Sequence, residues 1–210
     1  GASASFIGGG QYNTGSGAFS FVGGGCKNIA NACMAVVGGG TNNGSTNINA
    51  SVLGGFQNTS AGTLSSIGGG TLNCICTPAS ASFIGGGQSN TVSGSCAAVV
   101  GGKSNTVSGQ YSTIVGGSGG AITGISSFLG GGRNNCVIGY CSVLVGGTTN
   151  LVSGNCAASV GGYFNTGSGD LSFIGGGCCN VASNTQTTVV GGSRNTASGY
   201  GSFVGGGRTN

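Results

Sequence analysis

Apolar residues recur along this chain as short pairs, each closed by two or three glycines and then by polar residues. "SFIGGGQYN" at 5–13 returns as "SFVGGGCKN" at 20–28, "SFIGGGQSN" at 82–90 and "SFIGGGCCN" at 172–180. The residue before each glycine cluster is Ile7, Val22, Val37, Leu53, Ile67, Ile84, Val100, Val115, Leu129, Val145, Val160, Ile174, Val190 or Val204, always aliphatic and mostly β-branched. Such residues favour strands. An apolar pair ended by Gly-Gly every 14 to 17 residues has no helical period. The pattern predicts an all-β parallel β-solenoid of about 14 rungs. Successive coils of such a fold stack about 4.8 Å apart.

Asn follows three residues after the last glycine of nearly every cluster, from Asn13, Asn28 and Asn43 to Asn180, Asn195 and Asn210, with Gly120 as the break. This spacing is the same for two-glycine and three-glycine clusters, so the third Gly reads as an insertion into a 14-residue unit. At a bend, Asn tolerates left-handed backbone, and its amide can bond to the same Asn one rung away. Ser-Gly pairs such as Ser16-Gly17, Ser93-Gly94, Ser108-Gly109 and Ser153-Gly154 mark a second corner. Two corners imply two short strands per coil and a single repeat solenoid over 1–210.

Neighbours on a strand point to opposite faces. The aliphatic column is expected to fill the coil. The residue before it (Phe6, Phe21, Val36, Val52, Phe83, Val99, Ile114, Phe128, Leu144, Phe173, Val189 or Phe203, with Ser66 and Ser159 as exceptions) is expected to point outward. A long apolar stripe on a thin rod is a surface that soluble monomers avoid. This makes Phe6, Phe21, Phe83, Phe128, Phe173 and Phe203 a candidate oligomer interface, most simply between identical chains.

Units such as "SFVGGGRTN", "GGQSNTVSG" and "GGSRNTASGYGSFVGGG" resemble the head repeats of trimeric autotransporter adhesins, and similar units occur in tail-fibre proteins of bacteriophages and large viruses. The resemblance covers essentially the whole chain. It implies a left-handed β-roll that trimerises, and an extracellular place on a cell or virion surface. The ten cysteines and the lack of a coiled-coil stalk or membrane anchor depart from the adhesin pattern. Both ends fall inside the repeat, so the chain is expected to be a piece of a longer fibre or a filament subunit that stacks end to end.

Composition narrows the function. Only five basic residues and one acid are present, too few for the clustered cations that nucleic acid needs. No apolar run is long enough to insert into a membrane as a helix. All the cations, Lys27, Lys103, Arg133, Arg194 and Arg208, lie between a glycine cluster and its Asn, which makes one edge a candidate contact for cell-surface glycans. With no His and Asp170 as the only acid, general acid–base catalysis lacks its groups, and neither an enzyme nor a cofactor is expected.

Zinc is not expected without His or a C-x-x-C pair. Cys33, Cys96, Cys141 and Cys156 share one slot before the glycines, and Cys141 and Cys156 fall on consecutive rungs, making them a candidate disulfide. Asn43, Asn49 and Asn58 lie in N-x-S/T sequons. Thr14, Thr59, Thr91, Thr106, Thr166 and Thr196 form an interrupted column on which an alternative, ice-binding reading rests.

Overall fold

The structure is a computed structural model that describes residues 4–210. It is an all-β parallel β-solenoid of about 13 turns with no helix among the described residues. Two compact units, Gly1–Val107 and Ser108–Asn210, are distinguished, the first described from Ala4 onward. Each coil contributes one two-residue strand to each of two parallel sheets.

In the first unit the strands Phe6–Ile7, Phe21–Val22, Val36–Val37, Ser51–Val52, Ser66–Ile67, Phe83–Ile84 and Ala98–Val99 form one sheet, and those from Thr14–Gly15 to Thr106–Val107 form the other. In the second unit the corresponding sheets run from Thr113–Ile114 to Phe203–Val204 and from Ala121–Ile122 to Thr196–Ala197. A third line of single-residue bridges joins the coils between the two sheets, for example Gln11 with Cys26 and Tyr163 with Cys178.

No two-residue strand is stable by propensity. Each is held by its neighbours one coil away, as where the Phe21 and Gly23 amides donate to Ala35 and Val37 at 2.9 Å. The register is a constant 15 residues, Phe21 facing Val36 and Thr91 facing Thr106. It lengthens only around Pro78, where Ser66 faces Phe83 and Cys74 faces Thr91. The same backbone therefore recurs coil after coil, and every side-chain position becomes a column.

The core is one side chain wide. Its first sheet supplies Val22, Val37, Val52, Ile67, Ile84 and Val99 in one unit and Ile114, Leu129, Leu144, Ile174 and Val189 in the other, each fully buried. The second sheet answers with Ile75, Val92, Val107, Ile122, Val137 and Val152, or with Ala30, Ala182 and Ala197. Val22, Ala30, Ala35 and Val37 pack as one such cluster; Ile174, Ala182, Val189 and Ala197 form another.

This placement corrects the expected register of the two-glycine coils. Leu53, Val100, Val115, Val145, Val160 and Val190 do not fill the interior; all are exposed. Val52, Val99, Ile114, Leu144 and Val189, expected outward, are the buried residues. Ser159, an exception in the expected outward column, is likewise inside. The unit is thus 15 residues in two-glycine and three-glycine coils alike, apart from the longer coil at Pro78, and no glycine is inserted. In a two-glycine coil an aliphatic residue occupies the slot of the first glycine, as the pairing of Val52 with Ile67 sets Leu53 opposite Gly68.

The Asn column is buried and bonded on three sides. Asn43 Oδ1 accepts the Asn58 amide at 3.0 Å, while Asn43 Nδ2 donates to Gly39 and Gly55 carbonyls at 2.9 and 2.8 Å. The same set recurs at Asn28, Asn58, Asn165 and Asn180. The ladder expected between like asparagines exists, but chiefly as backbone N–H to side-chain oxygen. The left-handed backbone belongs to the residue before, such as Asn42 at φ 55° or Arg194 at φ 57°. The glycine three residues before each Asn is obligatory: at Gly40, with φ +85°, a Cβ would overlap the Gly55 carbonyl.

A buried Ser column, just before the first-sheet strands, forms a comparable ladder. Ser127 Oγ donates to Gly139 O at 2.8 Å and accepts the Ser142 amide at 3.1 Å.

Candidate functional site

In both units the outer surface of the first sheet carries columns of exposed apolar side chains. Phe6, Phe21, Phe83, Phe128, Phe173 and Phe203 all point outward there, 37% to 68% exposed. Val143 joins them, and so do Leu53, Val100, Val115, Val145, Val160 and Val190, in place of the interior position expected for them. The adjoining corner adds exposed Phe19, Met34, Leu64, Tyr111 and Leu171. No charged residue occupies any of these outward first-sheet positions among the described residues.

The relief of this face is evened out rung by rung. Each of the six phenylalanines is followed two residues later by glycine, and the ring edge lies 3.3 to 3.5 Å from where a Cβ on that glycine would sit. Where the later slot holds Leu or Val, the earlier one holds no ring: Ser51 with Leu53, Ala98 with Val100, Thr113 with Val115, Val143 with Val145, Ala158 with Val160, Thr188 with Val190. A ring and a branched aliphatic side chain never share a rung among the described residues, and residues two apart on a strand stand side by side on one face. Among the described residues only Phe6 and Phe21 stack on consecutive coils, with centroids 5.4 Å apart.

The five cations are exposed, each at the corner between a glycine cluster and the Asn position of its coil. Lys103, Arg133 and Arg208 sit in the line of bridges, with Lys27 and Arg194 at the next position, which has left-handed backbone. They are not brought together: five coils separate Lys27 from Lys103, and only Arg194 and Arg208 fall on adjacent coils. Among the described residues the surface has no pocket, and no group of three or more metal-binding side chains is present.

All ten cysteines are free thiols. Cys141 and Cys156 lie exposed at the same corner of successive coils, at φ 51° and 52°. A closer approach, unremarked in the sequence, is that of Cys178 and Cys179, whose Sγ atoms are 3.1 Å apart. Desolvation by burial, together with a hydrogen bond and charge from Cys76, pushes the Cys74 thiol up to about 12.

Of the three sequons, Asn43 and Asn58 are buried in the ladder and only Asn49 is exposed. The Thr column lies outward on the second sheet, and a Ser column accompanies it two residues on, at Ser16, Ser93, Ser108, Ser168 and Ser198. Compared with known proteins, the chain matches no family model and no curated sequence.

Proposed function

We propose that this protein is a structural rod, the shaft of an extracellular fibre or adhesin, whose chains associate along the outer face of the first sheet, with a trimer as the favoured assembly. What supports this reading is the uncharged face of Phe, Val and Leu that recurs on the coils of both units. Burying such side chains contributes about 25 cal/mol per Å² of apolar surface, and contiguous apolar patches above a few hundred Å² mark interaction surfaces.

A second copy is the natural occupant because it carries the same coil spacing, so its rungs meet these rungs along the whole contact. The levelled relief serves the same end, since neither Phe nor aliphatic rungs stand proud. The rod's work is then mechanical: hydrogen-bonded coils give stiffness, and stacked coils give reach.

Sedimentation and negative-stain imaging of the purified chain test the reading. More than one copy per particle is expected, and Phe128→Asp combined with Val145→Asp, both on the outer face, should yield single chains with unchanged β-sheet circular dichroism. A wild-type chain that is monomeric at all concentrations sinks the proposal.

A further inference from the structure

Cys178 and Cys179 sit at the corner after Gly175–Gly177, Cys178 in the line of bridges between the sheets and Cys179 just beyond it. Both are partly buried, and their Sγ atoms approach to 3.1 Å. The backbone beneath them is clamped from both neighbouring coils. The Cys178 amide donates to Gly192 O at 3.0 Å, the Cys179 amide to Tyr163 O at 2.8 Å, and the Arg194 amide to Cys178 O at 2.9 Å. The thiols are therefore held as neighbours by the fold, and not by sequence adjacency alone.

No other pair among the described cysteines matches this approach. Cys141 and Cys156 stand on successive coils with like backbone, so their Cβ atoms are separated by about one coil spacing, ~4.8 Å. A disulfide prefers Cβ atoms about 3.5 to 4.5 Å apart.

The Arg194 charge acts on Cys178 and favours its thiolate, although the side-chain hydrogen bond it shares with Cys179, desolvation and the Cys179 charge together leave that thiol raised. Attack on a disulfide requires a thiolate and an accessible sulfur. Cys178 has the nearby cation, and Cys179 is within reach to resolve what Cys178 forms.

We propose that Cys178 and Cys179 are a redox modification site, converted to a vicinal disulfide by exchange with a small-molecule disulfide of the glutathione class. Cys178 thiolate attacks one sulfur of the oxidant, making a mixed disulfide and expelling one small thiolate. Cys179, losing its proton, attacks the Cys178 sulfur, closing the Cys178–Cys179 bond and expelling the second. Two electrons pass to the oxidant, and the two thiol protons end on the two released thiols.

The test uses the full chain, reduced, freed of reductant, incubated with oxidised glutathione and then alkylated with iodoacetamide. Fragment mass spectra should show the Cys178–Cys179 segment lighter by two hydrogens and unalkylated, and dithiothreitol should restore double alkylation. Cys178→Ser and Cys179→Ser should each lose this species and leave a glutathione adduct on the remaining thiol, while Cys141→Ser keeps it. A wild-type chain in which both thiols stay alkylatable overturns the proposal. So does a lasting adduct on one of the pair, or a bond from either to a different cysteine.

Discussion

The side-chain oxygen of Asn43 accepts the backbone amide of Asn58, 15 residues on, at 3.0 Å. With the two carbonyls that Asn43 Nδ2 reaches, one amide group satisfies three backbone polar groups on two successive coils. No other side chain matches this pattern. Asp keeps the acceptor but loses both donors and sets a buried charge against carbonyl oxygens; Leu loses all three bonds.

Asn43→Leu should therefore destabilise the fold by about 3 kcal/mol, since each buried polar group left unpaired costs about 1–3 kcal/mol. Asn43→Asp should cost at least as much at neutral pH. Urea unfolding followed by circular dichroism reads both. A loss under half a kcal/mol would show that water replaces the ladder.

Ser159 makes the opposite prediction. It is 2% exposed, shares the core column of Leu144 and Ile174, and its hydroxyl has no hydrogen-bond partner. Ser159→Ala should raise stability by about 1 kcal/mol, because it removes an unpaired buried hydroxyl. A fall in the urea midpoint would mean that a water bonds that hydroxyl.

Phe128 and Gly130 should be coupled. Valine at Gly130 would press on the Phe128 ring edge, 3.5 Å from the added Cβ, and on the Val145 carbonyl. Gly130→Val alone should destabilise, by about 1–3 kcal/mol as overpacking does. Phe128→Thr with Gly130→Val reproduces the Thr113–Val115 rung and should recover part of that loss. Strict additivity in the double-mutant cycle would refute the levelled face as a steric rule.

Cys74 gives a pH dependence. Its thiol rises from the ordinary 9.0 to about 12, with desolvation as the largest cause. The folded state holds the proton more tightly than the unfolded one. Its contribution is thus complete below about pH 9 and is lost as pH climbs towards 12. The urea midpoint of wild type should fall more steeply over this window than that of Cys74→Ser. At pH 8, iodoacetamide should also modify exposed Cys96 well before Cys74.

The period, the strands, the Asn column and the outward phenylalanines could all be read from the chain, because a solenoid repeats its backbone and turns each requirement into a visible column. Gly40 and Asn43 show why: a left-handed corner with another carbonyl against it admits only glycine, and a three-bond bracket admits only asparagine. The sequence by itself therefore determined where each coil turns.

Which face Leu53 or Val100 takes was decided only in three dimensions. Read locally, "VLGG" and "SFIGGG" both place an aliphatic residue before glycine, and a shift of one residue reverses inside and outside. The last glycine and its Asn are the true anchors; counting back three residues from that glycine reaches Val52 and Ile67 alike. The first glycine is one tenant of an outward slot that an aliphatic side chain can take instead; where it stands, as at Gly38 and Gly130, the carbonyl of Leu53 or Val145 on the next coil lies where a Cβ would go. The approach of Cys178 to Cys179 was equally hidden, because adjacent residues on a strand point apart. Only the left-handed corner at Cys179, φ 59°, swings the second thiol back towards the first.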